Sequence, residues 1–271
     1  MTEFDVTIPR FADDRAESDG LIRIQWRNGA PQLRTVGRFF VPADRLPEDV
    51  TPGAPWKPVN EVFESGDEVA GYQAERLGLI IITHRAQPFV RTADNQREWL
   101  ERWQRGRERQ SLQVEVLCIA DGLEEVGPVV WSSSTVKTSF AIISRGRGGE
   151  PAGIIPRVLK EIVEPAAQRA KKYLDTYCFR VEITTERDSN GKAVYTEAGT
   201  RKVTRPVLAL EANPPIETIR TLWIGNDRIR DLVPIRERYE EWRKARRSNE
   251  PVEASPSPSR NAPESIDDDL F

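Results

Sequence analysis

The chain has 271 residues, enough for one large domain or two small ones, each with its own core. Its 40 Lys and Arg against 43 Asp and Glu leave a net charge of −3, which argues at first sight against a nucleic-acid partner. No run of 18 apolar residues occurs, and Met1-Thr2-Glu3-Phe4-Asp5 lacks the basic start and apolar run of a signal peptide, so a cytoplasmic protein with no membrane partner is expected.

The polar stretch 1–19 reads as a loose arm. After it, Ile22, Ile24 and Trp26 alternate with Arg23, Gln25 and Arg27, the period-two pattern of a half-buried strand. A second strand is predicted over Leu33 to Val41, where Arg34, Arg38 and Phe40 share one face; which face is wet stays open, as does a core position for Trp26 and Phe39. A long apolar strand over Val69 to Thr83 then runs into His84-Arg85-Ala86-Gln87-Pro88-Phe89-Val90-Arg91. Because proline ends regular pairing, this reads as a basic loop whose Arg85 and Arg91 bracket Phe89.

Asp94 to Gly106 carries Trp99, Leu100 and Trp103 at helical spacing and stops at glycine. With the charges that alternate as far as Arg109, it reads as a helix with a solvated, salt-bridged face. Leu112, Val114 and Val116 mark another strand, and Val129 to Ile143 a further one. Within the latter, Trp131 to Phe140 gathers hydroxyls, Lys137 and two aromatics, groups that commonly touch phosphates and bases. It leads into Ser144-Arg145-Gly146-Arg147-Gly148-Gly149, a cationic glycine-rich loop without the Gly-Lys-Ser/Thr of a nucleotide cradle.

Pro156 to Leu174 is predicted helical, with Pro165 expected to kink or split it. Phe179, Val181 and Ile183 alternate as a strand, and Asn190-Gly191 within Asp188 to Lys192 marks a tight turn after it. Strands are expected over Arg201 to Leu210 and Thr218 to Ile224, and a final helix over Pro234 to Arg247 carrying Ile235, Tyr239 and Trp242. The sum is a β-rich α+β body.

Cys118 and Cys178 stand sixty residues apart in apolar segments, with no CxxC spacing, and read as buried free thiols. His84 is the only histidine, so zinc chemistry or a Ser-His-Asp device would depend on that one residue. No catalytic residue, metal or cofactor is expected.

From Ser248 the composition turns to Ser, Pro, Asn, Glu and Ala, too apolar-poor to fold, and 249–271 reads as a disordered linker and tip after a domain over 1–248. Six carboxylates against Arg260 alone give 249–271 a net of −5, which leaves +2 on the body. The tip Ser265-Ile266-Asp267-Asp268-Asp269-Leu270-Phe271 sets three carboxylates before an uncovered hydrophobic pair, a docking peptide for a basic surface with an apolar pocket.

This tip resembles the acidic C-terminal tip of bacterial and phage single-stranded DNA-binding proteins, which recruits replication, recombination and repair enzymes. The resemblance implies a body that coats single-stranded DNA largely without sequence preference, on an elaborated OB-like barrel with inserted helices. It further implies that Phe271 enters a partner's pocket while Asp267, Asp268, Asp269 and Leu270 meet its rim. DNA contacts are then expected from Trp26, Arg34, Arg38, Phe40, Arg85, Phe89, Arg91, Trp131, Lys137, Phe140, Arg145 and Arg147; homo-oligomerisation stays open. Two other readings are an adaptor without DNA affinity that docks on a sliding clamp and a metal-dependent nuclease. The first lacks the Gln usual upstream in clamp peptides, and the second lacks grouped carboxylates in a two-metal pattern.

Overall fold

The computed structural model describes residues 20–33, 35–63, 66–92, 97–104, 110–133, 136–146, 152–198 and 201–244. The expectations for the arm 1–19 and for the linker and tip 249–271 lie outside these. In chain order the strands are β1 (Ile22–Arg27), β2 (Arg38–Pro42), β3 (Lys57–Val62), β4 (Glu68–Ala74), β5 (Arg76–Arg91), β6 (Arg97–Trp99), β7 (Gln110–Ala120), β8 (Val129–Ser132), β9 (Arg180–Thr185), β10 (Thr196–Ala198), β11 (Arg201–Val203) and β12 (Pro206–Leu208). The helices are α1 (Val136–Ile143), α2 (Ile154–Arg157), α3 (Glu164–Ala170), α4 (Ile216–Thr221), α5 (Asn226–Arg238) and α6 (Glu240–Lys244).

Ten strands form one sheet in the order β12-β9-β5-β7-β8-β1-β2-β4-β3, with β6 added to the far half of β5; β10 and β11 pair apart from it. All neighbours are antiparallel except β1 and β8. Only Glu75 separates β4 from β5, yet β4 bonds to β2 and β3 while β5 bonds to β9 and β7. One continuous segment thus serves both sides, and the sheet curls strongly into a half-barrel. The result is a mixed α+β architecture in which the curled sheet dominates.

The inner face carries Ile24, Trp26, Phe39, Val41, Leu77, Leu79, Ile81, Val114, Val116 and Trp131, all buried. Trp26 and Trp131 each meet the Phe39 ring edge-on at 5.2 Å, and burial of such side chains contributes ~1.5–3 kcal/mol apiece. Gly37 sits where any Cβ would overlap the Trp26 ring, which explains a glycine inside that segment. On the outer face Ile80, Ile82, Leu117, Ile119 and Val130 pack against Leu232 of α5 and Trp242 of α6.

A bulge at Ile82 switches the alternation along β5. Ile81 pairs with Cys118 but Thr83 with Leu117, so odd residues face inward before the bulge and outward after it. Arg85 and Phe89 thereby join the outer face, although they share parity with Leu79.

Several expected elements are corrected. The segment from His84 to Arg91 is no loop: β5 runs on to Arg91, paired with β7. Pro88 is accommodated because its missing N–H faces the end of β6; its carbonyl accepts from Leu100 N at 2.8 Å, and the Gln87 side-chain amide reaches Leu100 O at 3.5 Å in its stead. Around Trp99 there is no helix but strand β6, which sets Trp99 tilted against Phe89 at 5.3 Å. Residues 94–96 and 105–109 of that expectation lie outside the described ones.

The strand expected to reach Ile143 stops at Ser132. Ser133 Oγ accepts from Val114 N at 2.8 Å and lies 2.7 Å from Ser139 Oγ, while Ser139 donates to Leu112 O. These hydroxyls take the chain off the ladder and into α1. The strand expected over Thr218 to Ile224 is helix α4, which starts after Pro215 with Glu217 in its first turn and Arg220 in its last, each placed to suit the helix dipole. The single helix expected over Pro234 to Arg247 is divided: α5 begins at Asn226 and holds Pro234 inside it, α6 follows after Tyr239, and residues 245–247 lie outside the described ones.

At Pro165 the predicted helix is not split: α2 continues through a π-helical stretch, Val158–Val163, into α3. The wider turn gives a ring without an N–H room beside the preceding carbonyls. Among the described residues no helix is long and apolar enough to cross a membrane.

Candidate nucleic-acid interface

The strand pattern that buries Ile24 and Trp26 sends Arg23, Gln25 and Arg27 to the outer face of β1. Neighbouring strands add to this surface by register. Gln25 stands opposite Ser132, Ser132 opposite Glu115, and Glu115 opposite Arg85, one row across β1, β8, β7 and β5. Farther along, Gln87 faces Gln113, Phe89 faces Trp99, and Arg91 faces Arg97.

Two carboxylates lie in the floor of this face. Glu115, 2 % exposed, receives Arg85 Nε at 2.6 Å, Ser132 Oγ at 3.2 Å and Arg23 Nε at 3.7 Å. Glu61, 7 % exposed, receives Arg38 Nη2 at 2.6 Å and Arg27 Nε at 3.5 Å. Each carboxylate therefore holds two guanidiniums on β strands, with their heads oriented. Removing either acid would leave half-buried cations facing each other.

Aromatic rings accompany the cations. Arg27 lies over the Phe63 ring at 4.3 Å and Arg85 over Trp242 at 4.2 Å. Arg97 stands 5.3 Å from the Phe89 ring and 5.9 Å from Trp99, with Arg91 5.9 Å from Phe89. Arg97 Nη1 also donates to Gln113 Oε1 at 2.8 Å, which ties β6 to β7. Beyond β6, Trp103 is 49 % exposed. Phe89 and Trp242 are themselves buried, so the rings this side presents are the half-buried Phe63 and Trp99 and the exposed Trp103.

At the helix end of this face, Arg85 Nη1 donates to Trp242 O at 3.2 Å, seating α6 on β5. His84 lies beneath; burial first, and the Arg243 charge second, lower its pKa below the ordinary 6.5. Cys118 is buried against Val129 O, and burial pushes its thiol up to about 12, so it is an inert core residue.

Of the residues expected to touch DNA, Arg38, Arg85 and Arg91 fall on this face, and Phe89 does so by parity but is buried, 7 % exposed. Trp26 and Trp131 are corrected: both are fully buried on the inner side and present no ring to a base. Phe40 points outward but is fully buried, edge-on to Phe63 at 6.2 Å. Lys137 and Phe140, the latter 46 % exposed, lie on α1, whose Ile142 joins the inner core, and Arg145 is exposed just after it; these three stand apart from the outer face. The hydroxyls of Ser133, Thr138 and Ser139 are buried in the body, bonded to protein groups rather than presented to phosphate. Arg34, Arg147 and Asp267, Asp268, Asp269, Leu270 and Phe271 lie outside the described residues.

Arg23, Arg27, Phe63, Arg97, Trp99 and Trp242 were not among the expected contacts. The parity of β1 carried the signal for the first two. Trp99 and Arg97 were hidden by a helical reading, and only tertiary packing brings Trp242 to Arg85. Among the described residues no three His, Cys, Asp or Glu side chains gather into a metal-binding group. No protein-family model, no curated protein and no solved structure matches this chain.

Proposed function

We propose that the protein binds single-stranded nucleic acid, DNA in the first place, on the outer face of the curled sheet and largely without sequence preference. The observation that carries this reading is the gathering of Arg27, Arg91 and Arg97 with the half-buried rings of Phe63 and Trp99 and the exposed Trp103 on one side of the sheet. Cations that follow the phosphates and aromatic faces that stack bases are what sequence-tolerant binding of single strands requires. A half-barrel that curls through a shared β4–β5 segment is compatible with an elaborated OB-like barrel, a scaffold widely used for this work.

On this reading the Asp267-Asp268-Asp269-Leu270-Phe271 tip recruits replication, recombination or repair enzymes to the coated strand. Titration of the protein with oligo(dT) then quenches tryptophan fluorescence, through Trp99 and Trp103, and the affinity falls as salt rises and is weaker for duplex. No response at low salt refutes the function. Deletion of Phe271 abolishes partner recruitment and leaves DNA affinity unchanged or higher; lower DNA affinity would show the tip to be misassigned.

A further inference from the structure

A strand held by its phosphates needs cations whose heads reach water, and several arginines on the outer face of the sheet do not supply them. The Arg23, Arg38 and Arg85 side chains are at most 15 % exposed, each engaged by a buried carboxylate. Unengaged cations gather instead where α3 ends. Arg169, Lys171 and Lys172 are all exposed, and among the described residues none of them forms an ion pair. Asp175, the one acid between Arg169 and Tyr177, is already engaged, by Arg236 Nη2 at 3.1 Å and by Thr176 N at 2.7 Å. Between the lysines and that acid Tyr173 projects into solvent, 83 % exposed.

The backbone fixes this group in place. Lys171 sits at φ 54, ψ 38, the left-handed conformation in which helices commonly end on glycine, so a side chain is held there at a cost. Lys171 N and Lys172 N both donate to Ala167 O, the latter at 3.3 Å, which turns the lysines and Tyr173 off the helix. Downstream, Thr176 Oγ1 donates to Ile81 O at 2.8 Å and the Arg236 guanidinium stands 5.5 Å from the Tyr177 ring, tying the turn to β5 and α5. We propose that Arg169, Lys171, Lys172 and Tyr173 form a second contact for single-stranded DNA, with the three cations on its phosphates and the Tyr173 ring under a base. The inference rests on the nucleic-acid reading above and adds a separate patch to it. The acidic tip of this chain is the other anion at hand, but its Phe271 calls for a pocket, whereas Tyr173 offers a projecting ring face. Thr176 is bonded at Ile81 and Trp99 stands opposite Phe89, eight residues farther along β5, so ~27 Å separates the two contacts, about eight nucleotides of a stacked strand.

Binding of the full chain to dT20 over a range of salt, read by anisotropy of a labelled oligonucleotide, tests it. The positions are exposed, so their variants melt within ~2 °C of wild type. Arg169→Gln with Lys171→Gln and Lys172→Gln lowers the log–log salt slope by ~2, at ~0.7 per lost phosphate contact, and weakens binding at low salt by more than about tenfold. Tyr173→Ala weakens binding about tenfold and leaves the slope unchanged, because the ring carries no charge. Lys171→Gly relieves the left-handed strain, so its melting temperature equals or exceeds that of wild type while the slope falls by ~0.7, a combination that a purely structural lysine would not give. Removing three exposed charges elsewhere, with Lys57→Gln, Lys192→Gln and Lys202→Gln, leaves the slope as in wild type. An equal loss of slope in that control, or a wild-type slope in the first triple variant, overturns the second contact while wild-type binding stands. If the first triple variant matters only in the intact chain and not after deletion of 249–271, the patch seats the acidic tip and the proposal fails. Absence of wild-type binding to dT20 at low salt refutes the function itself.

Discussion

Glu115→Gln isolates the charge in the floor of the outer face. The substitution keeps size and shape, so packing is conserved, but two guanidiniums that converged on a carboxylate, Arg85 at 2.6 Å and Arg23 at 3.7 Å, then face a neutral amide. Their side chains are mostly buried, and breaking such a buried pair by neutralising one partner costs ~3–5 kcal/mol. For a body of this size each kcal/mol lowers the melting temperature by ~2–4 °C, so Glu115→Gln should melt ~6–20 °C below wild type. Circular dichroism at 222 nm in 0.05 and 1 M salt measures it, and the deficit should persist at high salt, because a buried pair is little screened. Arg85→Met in the Glu115→Gln background should cost less than in wild type. A melting point within ~2 °C of wild type, or a deficit that vanishes in 1 M salt, would refute the view of Glu115 as the buried anchor of these arginines.

Trp131→Ala empties a fully buried site beside Phe39 and should cost ~3–5 kcal/mol in urea or thermal unfolding; a stable variant with selectively lost dT binding would restore Trp131 as a base-stacking residue. His84, the only histidine, should titrate below 6.5 in an NMR pH series, and Arg243→Gln should raise its midpoint. Because the unfolded chain takes up that proton first, His84 makes stability fall as pH drops from about 6.5 toward the lowered folded value, and the contribution is complete above 6.5; stability that rises on acidification through this window would contradict the burial.

How much was legible beforehand depends on how local each signal was. In β1 the alternation of Ile24 and Trp26 with Arg23 and Arg27 is a local, two-sided pattern, and it correctly placed a strand with one polar face. The same counting failed past Ile82, because a bulge is one extra residue and leaves no mark in the composition. Pro88 misled for a related reason: the rule against proline in a strand applies to a residue whose N–H is wanted, and here the Gln87 side chain covers the acceptor. Trp99, Leu100 and Trp103 fit a helix by spacing alone, whereas pairing with a strand ten residues earlier decided the matter. The surface arginines were visible as residues but not as pairs, since Glu61 and Glu115 reach them from β3 and β7. Buried hydroxyls around Ser139 show the reverse case, in which polar composition suggested exposure and backbone satisfaction drew the groups inward.

The lone parallel pairing in the main sheet bears on how the chain is made. Ile22 bonds in register with Val129, 107 positions on, so the first strand leaves the ribosome well before its partner exists. At 5–20 residues per second the wait is roughly 5–20 s, during which β1 can rest only on β2 as a hairpin, with Trp26 and the edge of Phe39 that later meets Trp131 still uncovered. Nascent chains arrested before Val129 should therefore be the ones that bind chaperones and proteases, and chains arrested after Ser132 should resist both.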